Sequence, residues 1–573
     1  MNSPINIHLY EMPAEGFPSF GWNYYAGEAL KGHALGVFGS QVNIKIGRLH
    51  EVNRETIDLI MADQPHMIGL TMPPGSLPGT DAFLNILSAF SNKPLVVVGQ
   101  QLPSYYPDEL VSRYARLGFD IVAARGEGER AFEGLIRYLK GEVEMGDIPN
   151  IDFRVNGKQG KNCFVHTPLS ELNYPASFDT VKHILDSGDY ESAMIQASRG
   201  CQWGRCHFCT RTSFRNPDAE SESLISKDLY RWDGFNLDRV FAEIETLINM
   251  GVKSIEFADD EFTGGRSPER IDRLMEIAHR FQQLQKDLDK KVSFRFFARP
   301  DVIYRPKDAV GNMAMRQALE ALREAGASRI FVGIEGGDKQ SLRYYNRGVT
   351  LEMCEEAMEI CRDIGFGFDA GYIMFYPEQT SQGILRMSRF FRDNQLISAN
   401  QWPFRPLVIN KGSYLESKVQ EACLATKPTD EDLNFMRIPW KFKDEGVAVI
   451  FDVMEQVCVP TKALMYALKV VTKKNYASDD AESRFAERVI EQNGLFHLNI
   501  MEDLAGHAVN NGLTSANIRD SVIQGYIGLD KLVERVKAAL SSRRLVDRGN
   551  YLSETIEDYR SKRDSLFQQG LLG

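Results

Sequence analysis

Short apolar runs alternate with amphipathic stretches twice along this chain, and neither an all-helical nor an all-strand architecture accommodates that pattern. In the first 150 residues strands are expected at Ile5–Tyr10, Val42–Ile46, Met67–Met72, Leu95–Val98 and Asp120–Ala123. Helical stretches fall between them, at Arg54–Ala62, Asp81–Phe90 and Asp108–Leu117. Such alternation implies a parallel sheet covered on both faces. Five units suggest a flavodoxin-like strand order, with a ligand crevice at the carboxyl ends of the strands. The loops there are Met72–Ser76, Gly99–Gln101 and Arg125–Glu129.

The alternation resumes over residues 191–410, with strands expected at Ala193–Ala197, Ser254–Ala258, Val292–Ala298, Arg329–Ile334, Phe368–Phe375 and Asn400–Leu407. Six units make an open partial (β/α)6 barrel whose active face lies at the strand carboxyl ends. That face would collect Cys201–Cys209, Asp259-Asp260-Glu261, Arg299, Glu335 and Tyr376-Pro377. Between the two sets, residues 151–190 carry Gly157, Gly160, Pro168 and Pro175 and are expected to be a linker. Beyond 410 strand signals give way to helical ones such as Ala463–Val471 and Leu532–Leu540, so 411–573 is expected to be a helical domain. A chain of 573 residues agrees with several domains.

Three of the eight cysteines, Cys201, Cys206 and Cys209, fall within nine residues directly after the first strand of the second set. Thiols so close together cannot all pair as disulfides, which points to a metal. The spacing is C-x4-C-x2-C, with no fourth cysteine nearby. Iron–sulfur clusters are usually held by four cysteines, so three would leave one iron of a [4Fe–4S] cluster open. The alternative is a zinc site completed by His207 or a remote ligand; structural zinc usually takes four closed ligands, often as paired C-x2-C units. Cys354 and Cys361 share a helical face and are expected in the core. Cys163 reads as a free thiol, and Cys423 and Cys458 as isolated structural residues.

A formal net charge of −11 argues against a nucleic-acid-coating surface. The first thirteen residues lack the basic flank and apolar core of a signal peptide. No apolar run is long enough to span a membrane. A cytoplasmic location is the expectation.

The cysteine loop resembles that of the radical S-adenosylmethionine (radical SAM) superfamily, with one residue more than the usual C-x3-C-x2-C between Cys201 and Cys206. Three further segments extend the resemblance across 190–410. Phe257–Phe262 is similar to the acidic segment closing the second barrel strand, Gly333-Ile334-Glu335-Gly336-Gly337 to a G-I-E-S-G stretch, and Asn346–Thr350 to the segment that follows it. The first 150 residues resemble the cobalamin-binding domain that precedes many such barrels, on Val96–Gly99 and Gly126–Phe132. They lack the D-x-H-x-x-G signature, and Gln100 replaces the second glycine of the usual pair.

The resemblance implies that Cys201, Cys206 and Cys209 hold a [4Fe–4S] cluster whose open iron is chelated by SAM. It places Phe208, Asp259, Asp260, Glu261, Arg299 and Glu335 at SAM, and Met72, Ser76, Gly99, Gln100, Gly126 and Glu127 at cobalamin. The implied activity is radical abstraction of hydrogen from an unactivated carbon of a peptide or natural-product intermediate. Methyl transfer from cobalamin would follow. Rearrangement, ring closure or oxidation without methyl transfer is the alternative, as is a first domain that kept its fold and lost cobalamin. A non-catalytic electron carrier would have no use for a large acidic, glycine-rich pocket. The expected partners are the substrate and an electron donor such as flavodoxin or ferredoxin, with neither nucleic acid nor membrane.

Overall fold

The structure, a computed structural model, describes residues 4–15, 23–186, 192–218, 232–400, 402–474, 481–510, 512–541 and 549–568. Five parallel strands build the first sheet: β1 (Ile5–Glu11), β2 (Val42–Arg48), β3 (Met67–Thr71), β4 (Leu95–Gly99) and β5 (Ile121–Ala124). Their order is β2-β1-β3-β4-β5, the flavodoxin-like arrangement. Every residue of β3 and β5 is buried, as a strand covered on both faces requires. The sheet continues into the segment expected as a linker. There β6 (Ile151–Val155) pairs antiparallel with β5, and β7 (Lys158–Lys161) with β6. The glycine that suggested a break, Gly157, supplies instead a positive-φ hairpin turn.

A second sheet holds β8 (Ser192–Ile195), and a short antiparallel pair, β9 (Ser198–Gly200) and β10 (Trp232–Gly234), stands beside it. β11 (Ser254–Phe257), β12 (Ser293–Ala298), β13 (Ala327–Glu335) and β14 (Gly367–Tyr372) join β8 in the parallel order β8-β11-β12-β13-β14. The sixth expected strand is reduced to one parallel bridge between Phe375 and Pro406. Pro403 and Pro406 remove two amide donors from that segment, which explains why no ladder forms.

Helices Glu445–Lys474, Ala481–Asn510, Ser515–Ser541 and Gly549–Gln568 make up most of the remainder. Their buried faces belong to the same apolar core as the second sheet, running from Ile195 through Leu464 to Tyr559. The first sheet has separate cores on its two faces. It is tied to the barrel by buried polar contacts. Asn23 accepts the Met194 amide of β8 at 2.7 Å and donates to its carbonyl at 3.1 Å. Glu28 accepts the Thr180 amide at 2.9 Å, and the Tyr25 hydroxyl donates to buried Glu243 at 3.1 Å. Among the described residues, no helix is long and apolar enough to cross a membrane.

Candidate functional site

Cys201, Cys206 and Cys209 sit on the loop after β9, each partly exposed. Within the loop Gly204 takes a left-handed backbone, at φ +53°. The segment after β13 clamps the loop from above. Trp203 donates its indole N–H to the Asn346 carbonyl at 2.8 Å, and the Asn346 amide donates to the Arg205 carbonyl at 2.9 Å. Gly348, at φ +66°, lies under the Trp203 ring, where a Cβ would overlap it. Burial pushes the Cys201 thiol up to about 11 and Cys209 to about 12. At each of them Cys206 raises the value further, so the three thiols share one electrostatic site.

Two buried guanidiniums reach Cys206. Arg347 donates to its sulfur at 3.0 Å and Arg299 at 3.7 Å. Arg299 also pairs with Asp301 at 2.8 Å, but in the interior rather than on the surface. His207 turns its Nδ1 to the Tyr344 carbonyl at 2.9 Å. Among the described residues, no three His, Cys, Asp or Glu side chains are placed to hold a single metal ion. Each thiolate of a cluster would bind its own iron, whereas structural zinc draws four ligands onto one ion. The cations beside Cys206 suit the sulfur-rich anion that three thiolates and a cluster would form.

The acidic segment divides by role. Asp259 accepts the Ala197 amide at 3.1 Å and the Ser198 hydroxyl, and Glu261 accepts the Thr263 amide and hydroxyl and the Gly264 amide. Both are fully buried, and burial lifts each carboxyl to about 7. These two pin strand ends. Asp260 alone faces a cavity, where it accepts the Gly200 amide at 2.9 Å and pairs with Arg211 at 2.9 Å. Glu335 stands at φ +65° at the end of β13, with its carboxylate over Gly333 and Gly371, a facing pair on adjacent strands. A Cβ at either glycine would meet it, so the strands make room for an inward carboxylate. Burial raises its pKa, against the pull of Arg347, Arg405 and Arg299. Phe208 packs edge-on against Tyr345, 5.7 Å between centroids.

The carboxyl ends of β1, β3, β4 and β5 open onto a cavity of about 480 Å³ between the two sheets. Gly99, Gln100, Gly126 and Glu127 line it. Met72 and Ser76, expected there, do not. Met72 is buried in the core of the first sheet, and the Ser76 hydroxyl turns back to the Pro73 carbonyl at 2.6 Å. Residues beyond the barrel cover that loop: Asn434 accepts the Leu77 amide at 2.9 Å, and its carbonyl accepts the Gly75 amide at 2.8 Å. Gln100 keeps a glycine-like backbone, φ +81° and ψ −144°, and its Oε1 is buried with no hydrogen-bond partner among the described residues. From the barrel side Arg199 spans the gap to Glu129 at 2.6 Å and Glu127 at 3.7 Å. Burial opposes ionisation of Glu129, but Arg199 overrides it and holds the carboxyl at about 2. Arg199, Arg211 and Arg347 were not foreseen as site residues; Arg199 and Arg211 flank the cysteine loop in sequence and Arg347 lies within the Asn346–Thr350 segment, signals that could have marked them.

The family described as the Radical SAM superfamily matches residues 195–391, the segment that carries the three cysteines and strands β11 to β14. This is a radical SAM domain. Two curated relatives match a longer part. The 4'-phospho-dehydrooxetanocin synthase of Priestia megaterium is 26% identical over 343 residues, 58% of this chain and 42% of its own. An uncharacterized methyltransferase of Pyrococcus horikoshii is 24% identical over 339 residues, 58% of this chain and 65% of its own. The chain thus spans less than two thirds of either relative. Among solved structures, the cobalamin-dependent S-adenosylmethionine radical enzyme OxsB with aqua-cobalamin bound has a similar fold, with TM-score 0.81 and 19% identity, over 97% of this chain and 84% of that one. The radical S-adenosylmethionine methyltransferase TsrM from Kitasatospora setae, with cobalamin and a [4Fe–4S] cluster bound, has TM-score 0.56 and 18% identity, over 74% of this chain and 80% of its own. The radical SAM domain is therefore set in a fold seen in enzymes that bind cobalamin.

Proposed function

We propose that this chain is a cobalamin-dependent radical SAM enzyme that acts on an unactivated carbon of a natural-product intermediate or peptide, with methyl transfer as its reaction. The observation that carries this is the meeting of two sites. The crevice at the strand ends of the first sheet opens onto Asp260 and Arg199, which flank the cysteine loop of the radical SAM domain. Together, a cluster with SAM and cobalamin supply a 5′-deoxyadenosyl radical and a transferable methyl group.

Cys201, Cys206 and Cys209 would hold the cluster, with Arg347 and Arg299 balancing charge at Cys206. Glu335, Asp260 and Phe208 are the groups left to meet SAM, since Asp259 and Glu261 are fully buried away from the crevice that Asp260 lines. Gly99, Gly126 and Gly128 let backbone approach a flat ligand closely on the crevice wall.

Radical chemistry without methyl transfer is the second reading. It is favoured by the shared fold with OxsB, which extends through the C-terminal helices, whereas the TsrM match covers 74% of this chain. Product analysis after anaerobic reconstitution separates the two. Methyl transfer yields S-adenosylhomocysteine together with 5′-deoxyadenosine, whereas the alternative yields 5′-deoxyadenosine alone. Cluster-loaded, folded protein that retains no cobalamin would remove the methyl-transfer reading and leave the second.

A further inference from the structure

A second concavity, of about 1,280 Å³, lies outside the crevice, where helices Lys339–Tyr344, Ser381–Asp393 and Tyr414–Glu421 converge. It exceeds the ~300–1,000 Å³ of ordinary small-molecule sites. Its floor is His207, the residue between Cys206 and Phe208. That residue is held from three sides. Its amide donates to the Tyr345 carbonyl at 2.9 Å, its ring nitrogen meets the Tyr344 carbonyl at 2.9 Å, and its carbonyl accepts the Leu415 amide at 3.0 Å. The Tyr414 ring lies 4.5 Å from the imidazole. An unbroken covalent path thus runs from the groove floor to the Cys206 sulfur through one rigid residue. Buried Leu415 and Tyr414 close the floor.

The rim is charged and exposed. Arg386 pairs with Asp338 at 2.9 Å, and Lys418 with Glu421 at 3.0 Å. Lys339, Arg343 and Arg389 have no ion-pair partner among the described residues, against two such carboxylates, Glu378 and Asp393. With five cations against four carboxylates along its lining, the groove carries one net positive charge in a chain whose net charge is −11.

We propose that this groove docks the one-electron donor of the radical SAM domain, an acidic flavodoxin-type protein seated over His207. The proposal rests on the cluster assignment above, because radical SAM enzymes need a reductant. The flavin hydroquinone of the donor gives up one electron and the cluster accepts it. No bond forms or breaks and no proton crosses the interface. Charge on the rim steers the encounter and weakens with salt.

The test uses the full-length, cluster-loaded protein and purified flavodoxin. In the triple variant Lys339→Glu, Arg343→Glu, Arg389→Glu, affinity for oxidised flavodoxin, read by flavin fluorescence at low salt, should fall by roughly tenfold or more. SAM cleavage driven by reduced flavodoxin should fall with it, while cleavage driven by titanium(III) citrate stays within about twofold of wild type, since that small reductant needs no docking surface. The opposite variant, Glu378→Lys with Asp393→Lys, should tighten flavodoxin binding and keeps the test open if the triple variant folds poorly. Unchanged affinity in both variants overturns the proposal. So does an equal loss with both reductants, which would assign the rim to the fold. If wild-type protein cleaves no SAM with titanium(III) citrate, the radical SAM reading itself falls, and the proposal with it.

Discussion

The cysteine loop and the intersheet crevice both sit at the carboxyl ends of parallel strands, yet they are assembled in opposite ways. The loop is one continuous segment whose reactive side chains are adjacent in sequence, and the rest of the barrel only steadies it through Trp203, Asn346 and two arginines. The crevice has no reactive segment of its own. One wall is backbone at Gly99, Gly126 and Gly128, and the charges that cross it arrive from the barrel as Arg199, Asp260 and Arg211. A site that ligates needs particular side chains, whereas a site that embraces a large flat molecule needs shape. The two therefore differ in what a single substitution can do.

The largest effect falls on the loop. Replacing Cys201, Cys206 and Cys209 together with alanine should reduce bound iron to background and abolish SAM cleavage. Exposed Cys163 and Cys423, changed to serine, should leave both unaffected. Iron retained in the triple variant would mean that the loop is not the ligating segment.

On the crevice side the strongest single change is Arg199→Ala. It strands Glu129 in the interior, and removing one partner of a buried pair costs about 3–5 kcal/mol. Chemical denaturation measures the loss, and Arg199→Lys should restore only part of it. A fully stable Arg199→Ala protein would show that Arg215, 2.9 Å from Glu127, carries the network instead.

Asp259 sharpens the contrast by pH. Its folded carboxyl titrates at about 7 because it is buried, so the folded state holds a proton that the unfolded chain has released above about 4. Stability from this group is complete at low pH and is lost as pH rises from about 4 to about 7, at roughly 1.4 kcal/mol per unit. Asp259→Asn should remove that slope, so the variant gains on wild type across this window. Parallel stability curves would show that Asp259 stays ionised in the fold.

The smallest effect is expected at Gln100, whose backbone at φ +81° is in a region that suits glycine. Gln100→Gly should raise stability by about 1 kcal/mol through relief of that strain. A decrease would mean that the glutamine side chain supports the crevice wall more than its backbone strains it.

The sequence by itself determined the two parallel sheets, the helical remainder and the cysteine loop, because strand–helix periodicity and ligand spacing are local properties of a chain. Cys354 and Cys361 were placed in the core on the same ground, and both are fully buried. The helical C-terminus was legible, but not that it shares one core with the barrel. Local signals misjudged segments whose state depends on a distant neighbour. Residues 151–155 pair with β5 and carry 158–161 onto the sheet with them, which no local signal foretells. The Met72–Ser76 loop lies under Asn434, more than 350 residues along the chain. Only the tertiary structure decided which carboxylate of Asp259-Asp260-Glu261 faces the crevice. The three are adjacent acids in sequence, but Asp259 and Glu261 are buried on the Ala197 and Gly264 amides, whereas Asp260, bonded to the Gly200 amide and Arg211, lines the crevice. The same holds for Arg347, which reaches Cys206 across 141 residues because the turn after β13 folds over the loop.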